Sequence, residues 1–214
     1  GMTLFGIDRL VAEPELRRPL EGKRVAILAH PASVTRDLTH SVDALAATGL
    51  KLTAAFGPQH GLRGDKQDNM VESDDFTDPV HQIPVFSLYG EVRRPTGQSM
   101  GTFDTILIDL QDVGCRIYTF ITTLLYVLEA AAEHGKAVWV LDRPNPAGRP
   151  IEGLALRPGW ESFVGAGPLP AAWVNSTITV NAVSMANVPV REIFTALRNR
   201  LAPRKAASGK FGYA

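Results

Sequence analysis

A single cysteine, Cys115, stands in this chain of 214 residues. One thiol excludes an internal disulfide framework and a cysteine-built zinc site. Long apolar runs are missing too, and no stretch approaches the ~20 residues that a membrane span needs. Neither charge is in surplus: 22 Lys and Arg balance 22 Asp and Glu. Nothing global therefore points to nucleic acid or to an anionic membrane surface. The five histidines are scattered, without metal-ligand spacing, so no metal is expected. The start, GMTLFGIDRL, has neither a basic n-region nor an apolar h-region. No signal peptide is expected in this chain, and the cytoplasm is the default compartment. A Walker phosphate loop and a GxGxxG fingerprint are also absent, which disfavours a nucleotide-dependent enzyme; no cofactor is expected.

What is present is a core. The apolar share is 45%, enough for one ordinary domain, or one domain with part of a second. Five short apolar runs recur, at 24–30, 51–56, 83–88, 104–110 and 136–141. Runs this short, without strict alternation, suit strands covered on both faces. Between them, 41–47 and 118–134 carry apolar residues at helical spacing, the second closed by Gly135. Alternating strands and helices predict a Rossmann-like, doubly wound α/β fold with a mostly parallel sheet. Charge divides the chain unevenly: residues 171–214 hold six Lys or Arg but one acid, Glu192.

Ligands of such sheets bind beyond the C-terminal strand ends, and each run here is followed by polar residues. After the first comes HPASVT, whose Ser33 and Thr35 either cap a helix or face a ligand. After the second comes GPQHGLRGD, with Gln59, His60 and Arg63 on a glycine-rich turn. Gly57 also begins a long polar segment, 57–80, which reads as a functional or lid-like loop. After the third, Tyr89, Glu91, Arg93 and Arg94 mix an aromatic platform with charge, as a sugar site or as plain surface ion pairs. After the fourth, Asp109, Gln111, Asp112, Arg116 and Tyr118 lie within ten residues. A carboxylate at a buried strand end must be paired, hydrogen-bonded or protonated, and Arg116 is an available partner. After the fifth, Asp142, Arg143, Asn145 and Glu152 are set in a proline-stiffened segment, which is either a site or a rigid crossover.

Taken together, LAHPASV, FGPQHGLRG with QDNM, PVFSLYGEVRRPT, DLQDVGCRIYTFITT, VLDRPNPAGRPIEG and SFVGAGPLP resemble the DUF1343 family, associated with NamZ-type exo-β-N-acetylmuramidases. The strings occur in the family's order over about residues 20–170. The resemblance implies a Rossmann-like catalytic domain at 1–165. It leaves 166–214 as a truncated, altered or divergent start of the family's C-terminal domain. It also implies a bacterial glycosidase of cell-wall recycling that removes terminal β-linked N-acetylmuramic acid from peptidoglycan fragments, with export plausible for the family. Two departures stand out. Many relatives have Glu where this chain has Gln59, and after Pro170 the relatives' RHG-type continuation is replaced by AAWVNSTITV.

A neutral amide cannot act as a carboxyl acid or base. Asp109, Asp112, Glu72 and Glu152 are therefore the catalytic candidates. The expected substrate-binding set is Gln59, His60, Arg63, Tyr89, Arg94, Gln111, Arg116, Tyr118, Asp142, Arg143 and Asn145. Within it, Arg63, Arg116 and Arg143 suit the lactyl carboxylate of muramic acid, and Tyr89 and Tyr118 suit the sugar ring. The alternative function is a catalytically impaired sugar-binding protein of the same fold.

Overall fold

The computed structural model describes residues 4–63, 75–115, 117–144, 146, 154 and 156–166. Its strands are β1 (Val25–Ala29), β2 (Leu52–Gly57), β3 (Phe76–Thr77), β4 (Pro84–Ser87), β5 (Thr105–Asp109) and β6 (Ala137–Val140). Its α-helices are α1 (Gly6–Ala12), α2 (Pro14–Arg17), α3 (Ser41–Ala47), α4 (Gly97–Met100) and α5 (Phe120–His134). The five sequence runs are thus β1, β2, β4, β5 and β6. The unforeseen β3 is a two-residue strand in the long polar segment, antiparallel to β4. All other pairings are parallel.

The sheet order is β3-β4-β2-β1-β5-β6. Chain direction explains where a ligand belongs. From β1 the sheet grows outward through β2 and β4; the chain then returns to lay β5 on the other side of β1. The order reverses between β1 and β5, and the crevice at such a switch point is where open α/β sheets take ligands.

Alternation on the strands supplies a core for each face. Ala26, Leu28, Phe56, Ile106 and Ile108 share one apolar cluster with Leu124, Val127 and Leu128 of α5. Val25, Ile27, Ala55 and Leu107 share the other with Ile7 and Leu10 of α1 and Val42 and Leu45 of α3. Strands buried on both sides read as unbroken apolar runs, and β1 and β5 are buried at every residue. The helix expected from residue 118 starts at Phe120, and Gly135 ends it at φ 64°, the left-handed conformation a C-terminal glycine supplies. No helix among the described residues is long and apolar enough to cross a membrane.

Candidate active site at the strand switch point

At the mouth of the crevice, a buried ion pair locks the end of β5 to the segment after β6. Asp109 is 0% exposed. Its Oδ1 accepts from Arg143 Nε at 2.6 Å and its Oδ2 from Arg143 Nη2 at 3.0 Å. The Ser41 hydroxyl donates to the same Oδ2, and the Ser33 hydroxyl donates to the Asp109 carbonyl. Arg143 also donates to the Val34 carbonyl at 2.7 Å. Among the described residues the partner of Asp109 is therefore Arg143, just beyond the end of β6; Arg116, the partner offered by the sequence, lies outside them. Every oxygen of Asp109 is taken, and Arg143 is spent on it. The geometry makes this pair a brace between the strand ends.

Asp112 is placed differently. It lies beyond the strand, where its Oδ1 accepts the Gly114 N–H at 2.6 Å. Burial lifts its carboxyl from 3.8 to about 6, against backbone N–H groups of Gly114 and Val113 that favour the ionised form. Nearby, burial first, and then the charges of Asp112 and Cys115, push the Tyr118 phenol up. Gln111 donates to the carbonyls of Asp112 and Pro144, each at 2.9 Å, and so ties the β5 end to the segment after β6. Asp142 helps seat α1, its carbonyl accepting the Gly6 N–H at 2.9 Å.

On the opposite side of the crevice, the loop after β1 is held by hydroxyls. Ser33 accepts the His30 N–H at 2.8 Å, and Thr35 contacts Asp37 and Thr39. Neither caps α3: its N-cap is His40, whose side chain accepts from Val42 N–H. Nε2 of His40 faces the carbonyls of His30 and Leu62 at 3.1 and 3.0 Å, so that nitrogen carries the proton. The His30 ring packs edge-on against Phe120, with centroids 4.7 Å apart, and sits 6.2 Å from the His60 ring. Burial, then the imidazoles of His60 and His40, hold His30 down at about 4. It is a neutral wall of the crevice, and histidine between apolar residues gave no pattern by which to find it.

The turn after β2 carries Gln59 and His60. His60 has φ 75° and Gly61 φ 76°; a non-glycine residue in that region is uncommon and collects at functional sites. The Gln59 Oε1 accepts from Thr119 Oγ1 at 3.0 Å, joining this turn to the start of α5. Arg63, expected on substrate, is engaged elsewhere. It makes two hydrogen bonds of 2.9 Å to Asp43 and one of 3.0 Å to the fully buried Asp78. His81 Nε2 lies 2.7 Å from the same Asp43. Hydrogen bonding to Arg63, more than that to His81, brings Asp43 down to about 2 despite burial.

Beyond β4, Tyr89 lies 6.2 Å from the Phe163 ring. Arg93 sits over Phe163 at 4.4 Å, and Arg94 over Tyr126 at 3.9 Å while pairing with Glu129. These residues strap 156–166 to α5. The structure thus gathers Gln59, Asp112, Tyr118 and Thr119 around the start of α5, with His30 and His60 alongside. It places Arg94 on the flank of that helix. Glu72, Arg116, Asn145 and Glu152 lie outside the described residues. Among the described residues, no three His, Cys, Asp or Glu side chains group as metal ligands do.

Comparison with known proteins shows what the chain as a whole is similar to. Residues 25–187 match the family described as the N-terminal part of the exo-β-N-acetylmuramidase NamZ. The peptidoglycan β-N-acetylmuramidase NamZ of Bacillus subtilis is 46% identical over 167 residues, covering 77% of this chain and 40% of that protein. Two crystal structures of DUF1343 family proteins from Bacteroides fragilis superpose with TM-scores of 0.72 and 0.67, at 38% and 30% identity. Each covers 80% of this chain, which in turn spans 42% and 43% of their lengths.

Proposed function

The chain belongs to the NamZ exo-β-N-acetylmuramidase family, whose N-terminal region it carries, and on that premise we propose that it forms the catalytic crevice of a peptidoglycan glycosidase. Its substrate is a terminal β-linked N-acetylmuramic acid. One observation supports this most: at the switch point of the sheet, the half-buried Asp112 has its carboxyl raised to about 6 by burial. A glycosidase needs one such carboxylic acid to protonate the leaving oxygen and a second, ionised carboxylate. Asp112 takes the first role. Glu72 or Glu152 takes the second; retaining glycosidases hold such a pair about 5–5.5 Å apart and inverting ones about 6.5–9.5 Å. Tyr118 borders the acid and packs on the sugar. Asp109 and Arg143 hold the strand ends in place. The division of the chain near residue 165 into a catalytic domain and the start of a second one is part of the same reading.

The test is release of N-acetylmuramic acid from a chromogenic β-muramide. Asp112→Asn is expected to lower kcat by about a hundredfold or more, the usual contribution of a general acid. kcat/KM of the parent enzyme should fall as pH rises through about 6, since the acid must be protonated. An unchanged rate in Asp112→Asn would remove this residue from the chemistry. A second reading, sugar binding without turnover, is favoured by the amide at Gln59. Calorimetric binding of N-acetylmuramic acid with no hydrolysis would select it.

A further inference from the structure

The two described arginines expected to receive the substrate's carboxylate are both committed. Arg143 is closed onto Asp109, and Arg63 onto Asp43 and Asp78. Among the described residues, a further donor at the crevice comes from the turn after β2. Gln59 has its Oε1 engaged by the Thr119 hydroxyl at 3.0 Å, and its Nε2 makes no hydrogen bond to a described residue. Thr119 itself is 6% exposed, and its carbonyl accepts the Thr123 N–H at 3.0 Å, so the hydroxyl has little freedom to turn away. An amide whose oxygen is held this way directs its two N–H donors away from Thr119 and keeps only one free lone pair.

The turn bearing Gln59 is tied down on its far side. Leu62 is buried, and its carbonyl lies 3.0 Å from His40 Nε2. Arg63 is pinned to α3 through Asp43. The left-handed His60, between Gln59 held by Thr119 and Leu62 held by His40, is backbone strain kept in place by its surroundings. A donor on a fixed support reads an acceptor with little entropy left to lose.

We infer that Gln59 is a substrate-positioning residue, oriented by Thr119 so that its amide donates to a carboxylate or acyl oxygen of the muramyl sugar. This inference rests on the proposed sugar-binding function. It makes the glutamine a reader of an acceptor oxygen and leaves the proton to Asp112. Glutamate at residue 59 would set a carboxylate against the same oxygen: like charges repel if that oxygen is a carboxylate, and two acceptors meet without a donor if it is an acyl oxygen.

The experiment measures binding and turnover with the full chain. At neutral pH, Gln59→Glu is expected to weaken N-acetylmuramic acid binding at least about tenfold. Gln59→Ala and Thr119→Val should each weaken it about three- to tenfold, the range for one lost hydrogen bond. The loss should appear in KM more than in kcat, and Thr119→Ser, which keeps the donor, should recover it. Two further sugars identify the oxygen. If the lactyl carboxylate is read, the Gln59→Glu penalty vanishes with N-acetylglucosamine; if the acetyl oxygen is read, it vanishes with muramic acid. Either result supports the inference. Unchanged binding in Gln59→Ala and Thr119→Val, or faster turnover in Gln59→Glu, overturns it while the functional reading stands. Failure of the parent chain to bind any of these sugars overturns both.

Discussion

Asp112 and His30 pull stability in opposite directions across the same pH interval. Asp112 has a folded value near 6 against 3.8 ordinarily, so the folded chain binds more protons. Its contribution is fully present below 3.8 and is lost as pH rises through about 6, roughly 3 kcal/mol in all. His30 has a folded value near 4 against 6.5. There the unfolded chain binds more protons, and about 3 kcal/mol is gained as pH rises from 4 to 6.5. The two largely cancel in the parent chain. Asp112→Asn keeps an oxygen for the Gly114 N–H and removes one of the opposed groups. Urea unfolding should then show stability climbing steeply between pH 4 and 6.5 in the variant and a flatter course in the parent. The variant should also be the more stable of the two above pH 6, while being the less active. Of these two residues the sequence exposed one. Asp112 stood in an acid-rich strand end, but telling it from Asp109 required knowing that Arg143, 34 positions on, closes on Asp109. Pairing across a sheet is a fact of topology, and no local spacing encodes it.

The strands and the two main helices were legible because their apolar spacing answers directly to burial on both faces. The short elements were not. α1 was missed because it starts at the chain's edge with a small residue, Gly6, whose value is close approach. A Cβ there would meet Asp142 N at 2.6 Å and the Leu141 Cα at 2.7 Å. Gly6→Ala should therefore cost about 1–3 kcal/mol as an overpacked contact and lift α1 from the end of β6. Loss of amide protection at Gly6 in hydrogen exchange would report this. β3 was hidden for the opposite reason, since two exposed residues carry no periodicity. The brace between β5 and β6 admits a sharper test. Asp109→Asn leaves Arg143 buried without its counter-charge and should destabilise the fold by about 3–5 kcal/mol. Adding Arg143→Met should recover much of that by removing the stranded cation. If the single variant unfolds at the parent's urea midpoint, the brace carries no stability.

At the scale of the molecule, class and doubly wound winding could be read from the sequence, but the order of strands could not. Two apolar runs say that each is buried without saying beside which neighbour. That order has a consequence in time. β1 pairs with β5, and the clip from Arg24 to Asp104 spans 80 positions of chain. Closing so long a loop costs entropy before any contact repays it, which slows folding. As the chain leaves the ribosome, β1 and β2 emerge early, yet β1 keeps an open hydrogen-bonding edge until β5 arrives. The crevice that needs both β1 and β5 in place is thus among the last features to exist. A nascent chain arrested before residue 105 should hold an exposed strand edge, the kind of surface that seeks another strand. The central position of β1, which makes the crevice, is also what leaves the half-made protein most in need of protection.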